Sequence, residues 1–595
     1  MPRLVPKIEL YIRNRTATFL LKKSVLIVAR SGPSYWFNHY LKRKTDKILH
    51  RVTNAPLLDI RVNGTSLLTP IFVFSKISKS IGRKAALSSL LSYRVTLKQL
   101  TYLAWIEKNE VLNDKTISRS INLLKYKPLF SILVYCTHTN RHVIKKNTFS
   151  SIEQQHYRNY EMIPVKDDIV NAVKNSDGEY VIFLECGTEL ALNAISEFAK
   201  AVNKDPSAEY IYSDEDRFDK NGLRTNPFFK PEWSPDLMRT FNYVGSSFCA
   251  KRSAVRSAGL SLAGKVRLND SIPGNKVVHI PKVLIHNEAP SKNEQRRESL
   301  VSGSVHASPK FGNSAPEVTI IIPFKDKPEL LEACVESIRN KTDYPNFNIL
   351  LVNNRSKEEK TFACLGRLST DERIRVLDYN QRFNYSAINN FAVKRSKSEL
   401  VVLLNNDTEV ISRSWLSEMV SEILKEGAGA VGARLLYKDG TIQHAGVAIG
   451  LGGAAGHVFR NLDREREGYF NLDKRVRNVS AVTAACMLTK RSIFEEAGGL
   501  DEENFAVTYS DTDYCLKLIE RGYRIIYTPH AELYHYESVS RGKLNDPKTS
   551  LSPSLASLYN REYRAFKKKW AKYIAHDPYY SPNLTRERED YSLTI

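Results

Sequence analysis

The chain has 595 residues, of which 42% are hydrophobic and 26% are charged, and these proportions exclude a disordered or fibrous protein. A chain this long exceeds what one hydrophobic core supports, so about two to four domains are expected. The net charge of +23 favours anionic partners, but no nucleic-acid-binding motif accompanies the charge, so nucleic acid is not the expected partner.

Local composition argues against two further classes of protein. The best apolar run near the N terminus is interrupted by Lys22 and Lys23, so the sequence predicts neither a membrane-spanning helix nor a signal peptide. The seven cysteines are scattered and form no CxxC pair. Their pattern favours a reducing compartment and argues against a zinc site.

Residues 1–98 are predicted to be a small basic region of undetermined fold. Within residues 1–127, 24 Lys or Arg side chains stand against 6 Asp or Glu, so +18 of the net charge lies there. Two interpretations remain open with equal weight. The charge holds the protein near an anionic membrane surface, or it only solubilises a small domain.

A first α/β domain is predicted over residues 99–288. It opens with a helix at 99–110 (QLTYLAWIEKNE), followed by a strand at 128–135 and then by alternating helices and strands up to GEYVIFLECGTEL at 178–190. Residues 289–315 are polar, rich in Ser and contain two prolines, which is typical of a linker.

A second α/β domain is predicted over residues 316–545, around the segment SELVVLLNNDTEV at 398–410. Leu400–Leu404 is too short for a buried helix and does not alternate in polarity, so it is predicted to be a central strand covered on both faces. A shift of 220 positions superimposes GEYVIFLECGTEL on this segment and brings Gly187 onto Asp407. The chain is therefore predicted to hold two related α/β domains in tandem.

The two predicted domains differ in length between matching strands. The distance from Ile132 to Gly187 is 55 residues, whereas the distance from Ile320 to Asp407 is 87 residues. The difference between these two spacings indicates that the first domain lacks about thirty residues of βα structure.

Residues 546–595 are predicted to form a helical extension with a helix at 559–573. Its aromatic side chains share one face, beside three consecutive lysines at 567–569. Such a helix lies on a membrane or packs its aromatics on the preceding domain, and packing is the favoured interpretation.

Candidate catalytic side chains of the second domain fall at predicted strand ends and helix starts. Asp407 follows the central strand, Asp511 and Asp513 begin a helix that Gly522 ends, and His535 ends the last strand. Each has a structural alternative: Asp511 as a helix N-cap, Asp407 as a cap of the helix near Ser412, and the histidine as a hydrogen-bonded core residue. Together, a carboxylate for a hard cation and a second carboxylate for proton abstraction form a working set.

The second domain resembles the inverting family 2 glycosyltransferases of GT-A fold, in particular the rhamnosyltransferase-like enzymes that build O-antigen and other bacterial surface glycans. The resemblance spans about residues 316–584. The motifs that carry it are PEVTIIIPFKDKPELL, ILLVNNRS, FNYSAINNFA, LLNNDTEV, WLSEM, VGARLLYKDGTIQHAGVAIG, AVTAACML, GGLDE, YSDTDYCLKL, TPHAELYHYESVSRG and HDPYYSPNL. Through YLAWIEKNE, YIYSDEDRFD and NPFFKPEWSPDLM, residues 99–288 resemble the first of two such domains. The resemblance implies two tandem, Rossmann-like GT-A domains with mostly parallel sheets.

The resemblance also implies roles for individual residues. Asp407 matches the last acidic residue of the DxD-type motif, which binds Mg or Mn on the donor diphosphate, and His535 matches a residue that completes the metal site. Asp511 matches the base that deprotonates the acceptor hydroxyl. The donor-contacting positions are Pro323, Asp326, Asn353, Asn354 and Asn406. Asn353 and Asn354 depart from the Asp found in many relatives, which leaves the nucleotide open among UDP-, dTDP- and GDP-sugars.

The first domain is expected not to transfer sugar. Gly187 stands at the metal position, and only Asn269 and Asp270 occupy the stretch where a base is expected. The acidic triplet at 214–216 is interpreted as a solvated loop in preference to a cation site. The function predicted for the whole chain is metal-dependent, inverting sugar transfer to a growing, lipid-linked glycan, in the cytoplasm and peripheral to the membrane. A non-catalytic glycan-binding or scaffold protein of the same fold is the alternative.

Overall fold

The computed structural model describes residues 8–11, 59–62, 65–66, 97–110, 113–135, 141–165, 168–219, 222–257, 267–288, 306–312, 314–536 and 553–594; for the first three ranges only the backbone is described. In the N-terminal region, β1 (Ile8–Tyr11), β2 (Asp59–Val62) and β3 (Thr65–Ser66) form a small antiparallel sheet. The rest of the predicted basic region up to residue 96, and residues 289–305 and 313 of the predicted linker, lie outside the described residues.

The first domain contains one mixed sheet with helices packed on it. Its elements are α1 (Leu97–Asn109), α2 (Asp114–Asn122), β4 (Phe130–Tyr135), α3 (Arg141–Glu153), β5 (Tyr160–Val165), α4 (Ile169–Lys174), β6 (Tyr180–Glu185), β7 (Glu189–Leu190), α5 (Ala194–Lys204), β8 (Tyr210–Phe218), β9 (Arg224–Phe228), α6 (Pro235–Thr240), β10 (Phe248–Lys251), α7 (Arg252–Ser257) and β11 (Val277–Glu288). The strand order is β5-β4-β6-β10-β8-β11-β7, with β9 paired to β8.

The second domain repeats this plan and continues into the C-terminal helices. Its elements are β12 (Val318–Phe324), α8 (Pro328–Lys341), β13 (Phe347–Asn353), α9 (Glu359–Leu368), β14 (Ile374–Asp378), α10 (Tyr385–Val393), β15 (Leu400–Leu404), β16 (Thr408–Val410), α11 (Trp415–Ile423), β17 (Ala428–Leu436), β18 (Ile442–His444), β19 (Val447–Ile449), β20 (Ala455–His457), β21 (Arg477–Asn478), β22 (Cys486–Lys490), α12 (Arg491–Glu496), α13 (Ser510–Glu520), β23 (Arg524–His535), α14 (Pro553–Lys569) and α15 (Ala571–Ala575). The strand order is β14-β13-β12-β15-β22-β17-β23-β16.

The two sheets share one topology, which confirms the prediction of tandem α/β domains with mostly parallel sheets. In the second sheet, only β22 and β16 run against the other strands along this path, and β10 and β7 do so in the first. In the first domain α4 packs on β4 and β5 as α10 packs on β12 and β13, and it leads directly to β6, so α9 and β14 have no counterparts. This missing βα unit accounts for the shorter spacing in the sequence.

Strand β15 is the buried centre of the second sheet, as its unbroken apolar sequence predicts. Its five residues are fully buried between β12 and β22. Val401 and Leu403 face one hydrophobic cluster, which includes Ile388 of α10. Leu400, Val402 and Leu404 face the other cluster, which includes Trp415 of α11. Covered on both faces, the strand can present polar groups only beyond its end, and Asn405 stands there.

The motif NPFFKPEWSPDLM of the first domain forms a contact with the second domain. Phe228 stacks on Phe470 with ring centroids 4.0 Å apart. Asp236, which is buried, accepts hydrogen bonds from Asn478 Nδ2 at 2.7 Å and from Arg524 Nε at 2.9 Å. The two domains are thus joined by a contact that combines stacked aromatic rings with an ion pair of the buried Asp236.

Two further features bear on the sequence predictions. Among the described residues, no helix is both long and apolar enough to cross a bilayer. Cys186 is disulfide-bonded, whereas five other cysteines are free and buried. The spacing of the cysteines does not predict this bond, because pairing depends on tertiary proximity.

Candidate active site

Asp407 and His535 meet at the carboxyl edge of the second sheet because of strand register. The turn after β15 is held by the Asn405 N–H donating to Ala485 O at 3.1 Å and by Thr408 Oγ1 donating to Asn405 O at 2.9 Å. β16 then pairs with β23 so that Thr408 lies opposite His535. This register brings Asp407 Oδ1 to 3.2 Å from His535 Nε2.

The tautomer of His535 follows from the side chain of Gln443 on β18. Gln443 Nε2 donates to the His535 carbonyl at 3.2 Å, so Gln443 Oε1 is the atom that lies 2.6 Å from His535 Nδ1. Since an amide oxygen only accepts, Nδ1 carries the hydrogen, and in the neutral imidazole Nε2 then presents a lone pair. Asn405 Nδ2 lies 3.2 Å from that Nε2 atom.

The Asp407–His535 pair fits a divalent cation by its chemistry. A carboxylate oxygen and an imidazole lone pair face each other at 3.2 Å, and a positive charge between them relieves their repulsion. No cluster of three or more Cys, His, Asp or Glu side chains suited to a metal occurs within the described ranges. The protein thus offers two ligands at this place.

Asp511 is the second residue of α13 and lies half-buried at the same edge of the sheet. The N-cap position is held by Tyr509, with a left-handed φ of 59°, so the interpretation of Asp511 as an N-cap is wrong. Its Oδ2 atom accepts from the Ala484 N–H at 3.0 Å, and its Oδ1 atom accepts from the Thr512 N–H at 2.7 Å. These two donors fix the orientation of the carboxylate. Asp407 likewise caps no helix, because the cap of α11 is Ser414.

A path of hydrogen bonds connects the two carboxylates. The Ala484 N–H donates to Asp511, and the carbonyl of Ala484 accepts from the hydroxyl of Tyr385 at 3.0 Å. That hydroxyl also lies 3.4 Å from Asn405 Oδ1, and the other end of the Asn405 amide contacts His535. The structure therefore brings the predicted metal pair and the predicted base onto one edge.

The other predicted donor-contacting residues shape the neighbouring loops. Asp326 has a φ of 50°, and its Oδ1 atom accepts from the N–H groups of Lys357 and Glu358, at 2.6 and 3.0 Å. The buried Asn353 donates through Nδ2 to Asp378 at 2.8 Å. These side chains tie the loop after β12 to the loop after β13, and Asp378 ends β14.

The remaining donor-contacting candidates lie at the same end of the sheet. Asn354 is buried and donates through Nδ2 to the carbonyls of Tyr379 and Gln381, both at 3.0 Å. Pro323 lies next to the end of β12, and Asn406 is half-buried in the turn after β15. Their contacts with a nucleotide stay a prediction.

The comparison with protein families identifies this domain. Residues 319–498 match the family described as "Glycosyl transferase family 2". The second domain is a family 2 glycosyltransferase domain. Asp407 and Gln443 lie inside the matched range, whereas Asp511 and His535 lie beyond it.

Relatives of known sequence extend the likeness beyond this family 2 domain. The chain is 37% identical over 466 residues to "Uncharacterized protein y4gI" of Sinorhizobium fredii, covering 71% of this chain and 50% of that protein. It is 32% identical over 591 residues to "O-antigen biosynthesis protein RfbC" of Myxococcus xanthus, covering 85% of this chain and 44% of that protein. The chain thus spans about half the length of these two relatives.

A solved structure titled "Crystal structure of GalNAc-T7 with UDP, GalNAc and Mn2+" aligns with 45% of this chain and 59% of that chain. The identity is 14% and the TM-score is 0.34. Values this low carry no conclusion about the ligands of the family 2 domain.

Three residues of the family 2 site do not emerge from the sequence as members of it. Gln443, Asn405 and Tyr385 lie in the quoted motifs VGARLLYKDGTIQHAGVAIG, LLNNDTEV and FNYSAINNFA, yet nothing in their spacing shows that their side chains converge. Gln443 and His535 are 92 residues apart in the chain. The sequence offered one signal for these three residues, namely that each is a polar side chain next to an apolar segment.

The matching edge of the first domain lacks the site residues. Gly187, with a φ of 94°, occupies the turn where Asp407 stands in the family 2 domain. β7 pairs with β11 so that Glu189 lies opposite His286, and Thr188 Oγ1 donates to Asn287 Oδ1 at 2.9 Å. By this register, Asn287 holds the place of His535. The first domain therefore offers neither of the two metal ligands at this edge.

The acidic triplet of the first domain is not the solvated loop that was expected. Asp214 and Asp216 are fully buried on β8. Asp214 Oδ1 lies 2.7 Å from His279 Nε2, and Asp216 contacts Arg224 Nε at 2.5 Å and His286 Nδ1 at 2.6 Å. That interpretation is wrong because basic side chains from β9 and β11 compensate the buried charges. Arg224, His279 and His286 thus lie against the two buried carboxylates.

Proposed function

We propose that the protein transfers a sugar, with inversion, from a nucleoside-diphosphate donor to a hydroxyl group of a growing bacterial surface glycan. The observation that carries the proposal is the convergence of Asp407, His535 and Asp511 on one edge of a family 2 glycosyltransferase domain. The kinship with a protein described as acting in O-antigen biosynthesis supports this class of acceptor.

On the donor side, Asp407 and His535 would hold a divalent cation. When bound, such an ion neutralises the charge that develops on the diphosphate leaving group. Because one ligand is an imidazole nitrogen, Mn²⁺ suits the pair better than Mg²⁺ does. Gln443 keeps the His535 lone pair directed at the site, and Asn405 contacts the same nitrogen.

On the acceptor side, Asp511 accepts the proton of the attacking hydroxyl group. A sugar hydroxyl is a poor nucleophile. A carboxylate within hydrogen-bond reach that accepts its proton raises the rate of transfer by about 10²–10⁴-fold. The N–H groups of Ala484 and Thr512 hold this carboxylate in one orientation. Binding the donor and the acceptor together removes a large further entropic barrier.

The first domain would contribute no second transfer, because its sheet edge carries Gly187 and Asn287 in place of the metal ligands. It would support the active domain through the contact around Asp236 and Phe228. A lipid-linked acceptor, a cytoplasmic location and association with an anionic membrane surface stay predictions. The alternative of a non-catalytic glycan-binding protein of the same fold predicts donor binding without turnover.

A donor screen with three variants tests the proposal. Purified protein is supplied with UDP-, dTDP- and GDP-sugars in the presence of Mn²⁺ or Mg²⁺, and released nucleoside diphosphate is measured. Asp407→Ala should abolish metal-dependent turnover. Asp511→Asn should abolish turnover while donor affinity, measured by calorimetry, stays close to that of the wild type.

Glu372→Gln is the matched control, because Glu372 is exposed on the same domain. Its rate should equal that of the wild type. Wild-type rates in Asp407→Ala or Asp511→Asn would contradict the assignment. Donor binding without any release of diphosphate would favour the non-catalytic alternative.

A further inference from the structure

Helix α14 contacts the segment that leads to Asp511 through a buried carboxylate. Glu562 on α14 is fully buried. It accepts from the Val507 N–H at 3.2 Å, from the Thr508 N–H at 2.7 Å and from Thr508 Oγ1 at 2.5 Å. One side chain of the C-terminal extension thus satisfies three donors immediately before α13.

The next residue along this segment is held in an unfavourable backbone conformation. Tyr509 has a φ of 59°, which a residue with a Cβ atom adopts only when its surroundings impose it. Its ring stacks on Phe566 of α14 with ring centroids 4.6 Å apart and an interplanar angle of 23°. Release of these contacts would let Tyr509 return to a negative φ, which would redirect the first turn of α13 and the carboxylate of Asp511 with it.

A second anchor follows Asp511 by two residues. Asp513 is fully buried, and its Oδ1 atom lies 2.6 Å from Lys569 Nζ and accepts from Trp570 Nε1 at 2.8 Å. Lys569 ends α14, and Trp570 follows it directly. Asp511 therefore lies between two points, Thr508 and Asp513, that are both fastened to the C-terminal extension.

The face of α14 that carries these contacts is not available to a membrane. Phe566 is fully buried and Trp570 is 3% exposed. Both side chains therefore pack on the preceding domain, as the favoured interpretation of this helix predicts. Arg564, Lys567 and Lys568 lie on the exposed side. The buried side of the helix is thus directed at the catalytic domain, and its polar groups serve the Asp511 segment.

We infer that Glu562 and Lys569 are positioning residues that set the orientation of Asp511 for proton transfer from the acceptor. This inference rests on the proposed function. Neither residue contacts the Asp407–His535 pair in any hydrogen bond or ion pair described above. Their loss should therefore change the acceptor half of the reaction and leave donor and metal binding unchanged.

The test compares Glu562→Gln with Arg564→Gln in the full chain. Gln retains the size of Glu but replaces one accepting oxygen by an NH₂ group, so at least one of the three donors of Val507 and Thr508 loses its acceptor. We expect kcat to fall about 10- to 100-fold, since a displacement of about 1 Å can cost 10²-fold. The KM for the donor and the Kd for Mn²⁺ should stay within about twofold of the wild type. Arg564→Gln, an exposed substitution on the same helix, should leave kcat, the KM and the Kd unchanged.

Hydrogen–deuterium exchange gives a readout that does not depend on activity. In Glu562→Gln, amide exchange should become faster in a peptide covering residues 505–513, while a peptide covering residues 400–410 stays protected. Lys569→Met removes the Lys569 ion pair of the second anchor and its contact with Asp501 at 3.5 Å, but leaves Trp570 Nε1 on Asp513, so it should lower kcat by a smaller factor. It also keeps the inference testable if Glu562→Gln does not fold.

Three results would overturn the inference. They are unchanged exchange at 505–513, an unchanged kcat in both anchor variants, or a kcat loss accompanied by an equal loss of donor affinity. The last result would indicate a general loss of structure. If the wild type shows no sugar transfer, the proposed function fails, whereas the exchange comparison still decides whether α14 fastens the Asp511 segment.

Discussion

Replacing Gln443 with Leu should weaken metal binding without touching either metal ligand. Gln443 Oε1 is the acceptor for the Nδ1–H group of His535, at 2.6 Å. His535 is only 8% exposed, so water cannot readily take over that hydrogen bond. Leu matches Gln in bulk but offers neither acceptor nor donor, so the variant removes the bond to Nδ1–H and the bond from Gln443 Nε2 to the His535 carbonyl at nearly constant volume.

The size of the effect follows from the choice that His535 then faces. Keeping the hydrogen on Nδ1 leaves a buried donor unsatisfied, at a cost of about 1–3 kcal/mol. Moving it to Nε2 gives a hydrogen bond to Asp407 Oδ1 across the 3.2 Å separation, but removes the lone pair that would bind a metal. In either case the free energy of metal binding becomes less favourable by about 1.4–2.7 kcal/mol, which corresponds to a Kd roughly 10- to 100-fold higher.

The assay is a Mn²⁺ titration followed by the electron paramagnetic resonance signal of the free ion. Gln443→Glu is the matched variant, because a carboxylate still accepts from Nδ1–H. It should weaken Mn²⁺ binding less than Gln443→Leu does. The explanation fails if Gln443→Leu binds Mn²⁺ as tightly as the wild type, or if Gln443→Glu is the weaker binder of the two.

Three further predictions concern the first domain and the C-terminal segment. Gly187→Asp should create neither a second Mn²⁺ site, measured by calorimetry, nor a second sugar-transfer activity. Asn287 stands where the histidine ligand is needed, and a φ of 94° at position 187 disfavours a side chain. A second sugar-transfer activity would overturn the view that this domain is inactive. Asp216→Asn should lower the free energy of unfolding by about 1–3 kcal/mol in urea titrations, because it removes a buried carboxylate that Arg224, His286 and Tyr102 contact, while Glu110 still pairs with Arg224; unchanged stability would support the solvated-loop interpretation. Burial raises the pKa of Asp577 to about 6, so its ionisation destabilises the fold as the pH rises from about 4 through 6. The free energy of unfolding of Asp577→Asn minus that of the wild type should therefore grow by about 3 kcal/mol between pH 4 and pH 7, and a difference that does not vary with pH would refute the assignment.

The sequence predicted the elements whose pattern is local. Leu400–Leu404 is apolar without alternation, and it is a strand buried on both faces. The internal repeat predicted two sheets of one topology, and the shorter spacing of the first copy predicted its missing βα unit. The acidic residues at strand ends and helix starts were also identified this way, since ligands meet α/β sheets at the carboxyl ends of strands.

Contacts between distant polar groups were decided by the tertiary structure alone. The triplet at 214–216 resembles a solvated loop because its charge is visible in the sequence, while Arg224, His279 and His286 that compensate it come from other strands. The role of α14 at the Asp511 segment likewise depends on the packing of a helix near the end of the chain.

By itself, the sequence determined the two α/β domains, their difference in length and the residue types available for chemistry. Only the tertiary structure decided that Gln443 orients His535, that Asp511 is not an N-cap, and that Glu562 holds the turn before it. The physical reason is that apolar periodicity reports burial along one segment, whereas the partner of a polar group is fixed by strand register and helix packing between segments far apart in the chain.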